Sequence, residues 1–108
     1  MPTEDRNDLF KRGILEALAL TSSSNPMLIG VIGKTIGFEG YETETRSWPQ
    51  LRALIRELRL QGQPIGSTQG GYYIIRSDAG MATFLDSLRG RVSEIKKVIE
   101  ALEKKRFD

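Results

Sequence analysis

Apolar positions along this chain recur first with a helical period, then alternate briefly, then return to a long helical period. Phe10, Ile14, Ala17 and Leu18 stand three and four residues apart, which predicts a first helix over residues 8–20. The polar run Thr21-Ser22-Ser23-Ser24-Asn25-Pro26 ends it. Asn25 is suited to cap a second helix, and Pro26 to sit in its first turn, where a missing N–H costs nothing. That helix is expected over residues 27–36, with Gly37 at its end. Gly30 and Gly33 weaken it by about 1 kcal/mol each relative to alanine, a loss that close backbone packing would offset. After a glycine- and glutamate-rich connection over residues 38–46, Ser47 and Gln50 have capping-box spacing and Pro49 falls in the first turn of a third helix. Leu51, Leu54, Ile55 and Leu58 give this helix one apolar stripe, and Gly62 is placed to end it.

Residues 64–67 and 72–75 flank the turn Thr68-Gln69-Gly70-Gly71 and read as a β-hairpin. Tyr72 and Tyr73 point to opposite faces of its second strand, so at least one of them belongs to the core. Trp48, just ahead of the third helix's stripe, is read as a packing residue. Ser77 or Asp78 then caps a last helix reaching to about residue 105. Within it Met81, Leu85, Leu88, Val92, Ile95, Ile99 and Leu102 alternate spacings of four and three, an a/d seam sustained for about three heptads. At 1.5 Å per residue the seam is about 32 Å long, more than a small domain needs for its own core. Two arrangements would cover it: pairing between two chains through Leu85, Leu88, Val92, Ile95, Ile99 and Leu102, or folding back over the first helix. Pairing is the reading adopted, making a homodimer the expected assembly. Gly90 would allow a bend in this helix. The fold class expected is mainly α with a small antiparallel hairpin, organised as residues 1–77 and a C-terminal helix over residues 78–108.

Composition narrows the chemistry. The 108 residues, 39% of them apolar, suffice for one modest core. Cysteine and histidine are both absent, which removes thiolate chemistry, cysteine-ligated zinc, the commonest general base and the commonest metal ligand. The carboxylates show no spacing suited to a metal or to paired acid–base work. Gly30-Val31-Ile32-Gly33-Lys34-Thr35 resembles part of a phosphate-binding loop, but the glycine that loop requires is here Leu28. No enzyme activity, cofactor or small-molecule substrate is therefore expected. No apolar run reaches the roughly 20 residues of a membrane span, and residues 1–8 are polar and acidic, unlike a signal peptide, so a cytoplasmic protein is expected.

Net charge is only +2, but it is unevenly placed. Residues 1–50 sum to −2 and residues 78–108 to +1, whereas residues 51–77 carry Arg52, Arg56, Arg59 and Arg76 against Glu57 alone, a net of +3. Positive charge thus gathers on the third helix and hairpin, the electrostatic footprint of a nucleic-acid contact. With the apolar stripe turned inward, Pro49, Ala53 and Arg56 lie near the centre of the outer side, with Arg52 and Arg59 towards one flank. Small residues and arginines on a helix's outer face suit the major groove, where the planar guanidinium can bond guanine O6 and N7.

The segment from Leu51 through Arg52, Ala53, Arg56, Leu58, Arg59, Gly62, Pro64 and Ile65 to Ser67, followed by Gly71-Tyr72-Tyr73-Ile74, resembles the winged helix–turn–helix family of bacterial and bacteriophage DNA-binding proteins, which includes the biotin-repressor N-terminal domain. In that family a recognition helix ending in Leu-Arg leads through Gly and Pro-Ile into a wing closed by Gly-Tyr; here these are Leu58-Arg59, Gly62, Pro64-Ile65 and Gly71-Tyr72. The close match spans about a quarter of the chain, and helix order extends it to residues 8–77. The resemblance implies helix–helix–helix–strand–wing–strand and binding to double-stranded DNA, as a transcription regulator or a phage replication or packaging accessory. Gln50, Arg52 and Arg56 are the residues expected at base edges, with Ala53 beside them on the DNA-facing surface, Arg46 and Arg59 at phosphates, and Ser67, Thr68 and Gln69 at the sugar-phosphate backbone. The wing tip has no Arg or Lys for minor-groove insertion, and one feature departs from the family: its connection between the second and third helices is usually short, whereas here it runs over residues 38–47 and carries Glu39, Glu42 and Glu44, which phosphates would repel. The alternative is a winged helix used for protein–protein contact through that acidic connection, as an adaptor or inhibitor, without DNA binding.

Overall fold

Asp5 starts the first helix: its carboxylate accepts the Asn7 amide at 3.0 Å, at the positive end of α1 (Arg6–Ala17). The computed structural model describes residues 5–38 and 48–107. Ile14 and Leu18 are fully buried along α1. The helix ends three residues short of the expected boundary because the Thr21 hydroxyl and amide both donate to the Leu18 carbonyl, at 2.6 and 3.0 Å.

The second helix starts later than its sequence signals imply. Asn25 does not cap it; Asn25 and Ser22 exchange backbone hydrogen bonds instead, and the chain runs extended through Met27. Met27 and Tyr72 trade both backbone bonds at 2.8 Å, which takes the Met27 amide and carbonyl out of any helix. Only then does α2 (Ile29–Thr35) form, with Leu28 at its N-cap and no side-chain cap bond. Its end is as expected. Gly37 takes φ +76, Phe38 N–H reaches back to the Gly33 carbonyl at 2.8 Å, and Gly37 N–H reaches the Lys34 carbonyl at 3.3 Å. This pair of bonds is a Schellman closure.

The third helix, α3 (Pro49–Leu60), has Trp48 at its N-cap in the left-handed region, φ 53 and ψ 54, without a side-chain cap bond. The capping box expected from Ser47 is therefore replaced; Ser47 itself lies outside the described residues. The indole supplies a reason for the unusual backbone, because it lies across the glycines of α2. A Cβ at Gly30 would sit 3.5 Å from the indole nitrogen, and one at Gly33 would overlap the ring. Packing of a large aromatic side chain offsets the 1–2 kcal/mol or so that a left-handed residue costs. Leu51, Leu54, Ile55 and Leu58 are all buried, as their spacing predicts. They form one cluster with Ile14, Leu18, Ile32, Phe38 and Ile65, while Phe10 meets Phe38 edge-on at 4.7 Å. Gly62, φ +93, closes α3 with the same motif as Gly37: Gln63 N–H to the Leu58 carbonyl and Gly62 N–H to the Arg59 carbonyl, both 3.0 Å.

Strands β1 (Ile65–Thr68) and β2 (Gly71–Ile74) pair antiparallel around Gln69 and Gly70, in the register Ile65 with Ile74 and Gly66 with Tyr73. Tyr73 is buried with its ring over Gly66, and Tyr72 is half-buried. The Arg76 guanidinium bonds the carbonyls of Ala19 and Thr21, and the Ile74 amide donates to the Thr21 hydroxyl at 3.0 Å. Together these tie β2 to the end of α1. The remaining helix, α4 (Asp78–Glu103), is capped by the Ser77 hydroxyl on the Gly80 amide. The chain is thus mainly helical, four helices with a two-stranded hairpin among the described residues, and divides into two compact units, Met1–Arg76 and Ser77–Asp108. Among the described residues no helix is long and apolar enough to cross a membrane.

The two α2 glycines separate cleanly by substitution. Gly33→Ala drives a methyl group into the indole and is expected to lower stability by about 1–3 kcal/mol, several degrees in melting temperature. Gly30→Ala meets ordinary van der Waals space and gains helix propensity, so its melting temperature should hold or rise. Equal losses in thermal unfolding would remove Trp48 from its place as the clamp on α2.

Candidate nucleic-acid interface

Since the inner stripe of α3 is committed to the core, the outer side of the helix is fixed. Pro49, Gln50, Arg52, Ala53 and Arg56 are all exposed. From Gln50 to Arg56 is about 9 Å along the axis, short enough to lie within a major groove about 12 Å wide. Ala53 leaves the middle of this surface low, so the arginines on either side project past it. Arg56 makes no side-chain hydrogen bond or ion pair among the described residues. Its neighbour Glu57 does: it pairs with Lys11 of α1 at 3.1 Å. The single carboxylate of α3 is therefore matched by a cation from another helix, which limits its opposition to a polyanion.

Arg59 has a different position from the one its spacing implied. Its Nε donates to the Ile65 carbonyl at 2.8 Å, one terminal nitrogen donates to the Ser67 hydroxyl at 3.2 Å, and the guanidinium stands over the Tyr72 ring at 5.6 Å. The side chain is half-buried. It fastens the end of α3 to both strands of the hairpin, so its planar fork is already occupied. Ser67 is correspondingly half-buried beneath it. Of the hairpin residues singled out from sequence, Thr68 and Gln69 stand exposed at the tip, where the Thr68 hydroxyl accepts the Gly70 amide at 3.0 Å. Arg46 and the glutamates at 39, 42 and 44 lie outside the described residues.

The structure therefore brings Gln50, Arg52, Ala53 and Arg56 onto one surface, places Thr68 and Gln69 on a hairpin joined to the same helix, and turns Arg59 and Ser67 into the joint between them. Sequence spacing alone missed that joint, because the Ile65 carbonyl that orients Arg59 is brought near only when the hairpin folds back. Lys34, in the last turn of α2, is a further exposed cation. Its Gly33-Lys34-Thr35 context is helical, with Gly33 covered by the indole.

Along α4 the seam residues differ in exposure. Leu85 and Leu88 are half-buried, whereas Val92, Ile95, Ile99 and Leu102 are exposed, together with Val98. Neither a protein-family model, nor a curated protein, nor a solved structure matches this chain.

Two arginines on α3 thus have distinct structural duties, and thermal unfolding separates them. Arg59→Ala leaves the carbonyl of buried Ile65 without its side-chain donor and should lower stability by about 1–2 kcal/mol. Arg56→Ala alters an exposed side chain and should stay within about 0.5 kcal/mol of the parent. A neutral Arg59→Ala would mean that the joint carries no weight in the fold.

Proposed function

We propose that residues 5–76 are a winged helix that binds double-stranded DNA, with α3 in the major groove and the β1–β2 hairpin as a wing beside the sugar-phosphate backbone. The observation that carries this reading is the outer face of α3, where Arg52 and Arg56 flank Ala53 on a helix whose opposite side is wholly buried. The succession α1, α2, α3, β1, β2 follows the order of that architecture, and the Met27–Tyr72 pair adds a one-residue third strand to the hairpin. Arg52 and Arg56 suit guanine edges, and Gln50 suits adenine or phosphate. The short polar tip at Thr68 and Gln69 fits a backbone contact rather than insertion into the minor groove, since it offers hydroxyl and amide groups and no cation. Such a protein acts by occupancy, without a catalytic site or cofactor, and its resemblances suit a regulator of transcription or a phage replication or packaging accessory.

A second reading, contact with a protein instead of DNA, has one feature in its favour. Leu20, Leu28 and Val31 are exposed around an open depression of about 430 Å³ bounded also by Ala17, Pro26 and Met27. Apolar side chains clustered in this way are more typical of a protein contact than of a phosphate contact.

Salt titration of binding to a labelled random duplex distinguishes the readings. DNA binding through several phosphates should weaken with a log–log slope of about −0.9 per contact, whereas an adaptor shows no duplex affinity to lose. On a sequence selected from a random pool, Arg56→Ala should weaken binding by about 1–3 kcal/mol. Unchanged affinity would take α3 out of the interface.

A further inference from the structure

A ribbon of two four-residue strands is marginal by itself, so the placement of its tip depends on what grips it. Thr68 pairs with Gly71 in the last rung before Gln69 and Gly70, and Ser67 pairs with Tyr72 in the rung below. That lower rung is gripped from both sides. On the β2 side Met27 exchanges both backbone bonds with Tyr72 at 2.8 Å, and the Thr21 hydroxyl accepts the Ile74 amide at 3.0 Å. On the β1 side the grip is Arg59, whose terminal nitrogen donates to the Ser67 hydroxyl at 3.2 Å and whose Nε donates to the Ile65 carbonyl at 2.8 Å. The same guanidinium stands over the Tyr72 ring at 5.6 Å. One side chain in the last turn of α3 thus meets Ile65 and Ser67 of β1 and Tyr72 of β2.

This grip lies close to both halves of the surface assigned to DNA. Arg59 is three residues past Arg56, about 4.5 Å along the helix axis. Ser67 is two residues before Gln69, so the chain advances at most about 7 Å from the gripped rung to the exposed tip. We propose that Arg59 is a positioning residue of the DNA-binding surface. Without touching DNA, it holds Thr68 and Gln69 at a fixed offset from Arg52 and Arg56, so that base edges and sugar-phosphate backbone are met in one docking geometry. The inference rests on the DNA-binding reading and adds to it a coupling between helix and hairpin. Its physical basis is preorganisation: a tip that is already ordered spares binding the entropy of immobilising it. Lysine keeps the charge, but a single ammonium cannot serve a carbonyl, a hydroxyl and a ring from one plane.

Fluorescence anisotropy on a duplex selected from a random pool tests the coupling, at a temperature where circular dichroism shows each variant folded. Arg59→Ala and Arg59→Lys should both weaken binding about tenfold, although the second retains the charge. Gln69→Ala should weaken it about fivefold in the parent and far less in an Arg59→Ala background, where the tip is no longer held in place. The same comparison in an Arg59→Lys background covers the case in which Arg59→Ala melts too low. Arg56→Ala should lose the same factor in every background. In the free chain, amide nitrogen relaxation should show Thr68 and Gln69 becoming mobile on the nanosecond scale in both Arg59 variants. Recovery of parent affinity by Arg59→Lys would make Arg59 a phosphate contact and overturn the inference. So would an equal loss from Gln69→Ala in all backgrounds, or an unchanged tip in the free variants. These three outcomes leave α3 as the DNA-reading helix, whereas a parent chain without duplex affinity overturns the DNA-binding reading and this inference with it.

Discussion

Burial of Leu51, Leu54, Ile55 and Leu58 against Ile14, Leu18, Ile32 and Ile65 governs everything else in the first unit, because it leaves α3 only one side to show. Each of these side chains contributes on the order of 2 kcal/mol by leaving water. Rotating α3 to present a different face would expose the whole stripe, so the orientation of Arg52 and Arg56 is set by leucines and isoleucines that never approach a partner. The same burial explains the glycines of α2. Trp48 has to turn back over that helix before α3 begins, and only a residue without a side chain leaves room for the indole at position 33.

The hairpin is held by polar bonds as well as by the burial of Ile65 and Tyr73. Met27 and Tyr72 exchange backbone bonds, Thr21 links α1 to β2, Arg76 covers two carbonyls at the end of α1, and Arg59 reaches from α3 to Ile65 and Ser67. Gly71 makes the first of these possible. A Cβ there would overlap the Met27 carbonyl, and its φ of +129 strains any other residue. Arg59 and Arg56 are three residues apart and chemically identical, yet one is a fastening and the other is solvent-facing. Counting basic residues therefore overstates the charge available to a partner on this surface.

Features governed by local chemistry were legible in the sequence. The stripe of α3, the stops at Gly37 and Gly62, the hairpin, the Ser77 cap and the extent of α4 follow from spacing and capping rules that operate over a few residues. What the sequence did not disclose depends on segments far apart in the chain. Asn25 and Pro26 carry every local signal for starting a helix, but Met27 finds Tyr72, 45 residues away, and the helix waits until Ile29. Ser47 has capping-box spacing, yet the N-cap belongs to Trp48, whose ring finds two glycines in α2. The candidate interface divides in the same way. Exposure of Gln50, Arg52, Ala53 and Arg56 was readable from the helical period, whereas the capture of Arg59 by the hairpin was not.

If α3 is the reading head, its solvent-facing groups should be the first to sense DNA and its buried stripe should not move. Amide chemical shifts of the isotope-labelled chain, followed during titration with a random duplex, test this at residue resolution. The account predicts perturbations concentrated at Gln50, Arg52, Ala53 and Arg56 and at Thr68 and Gln69, with the amides of α4 unaffected. Perturbations confined to the depression beside Leu20 and Leu28, or none at saturating duplex, would contradict it.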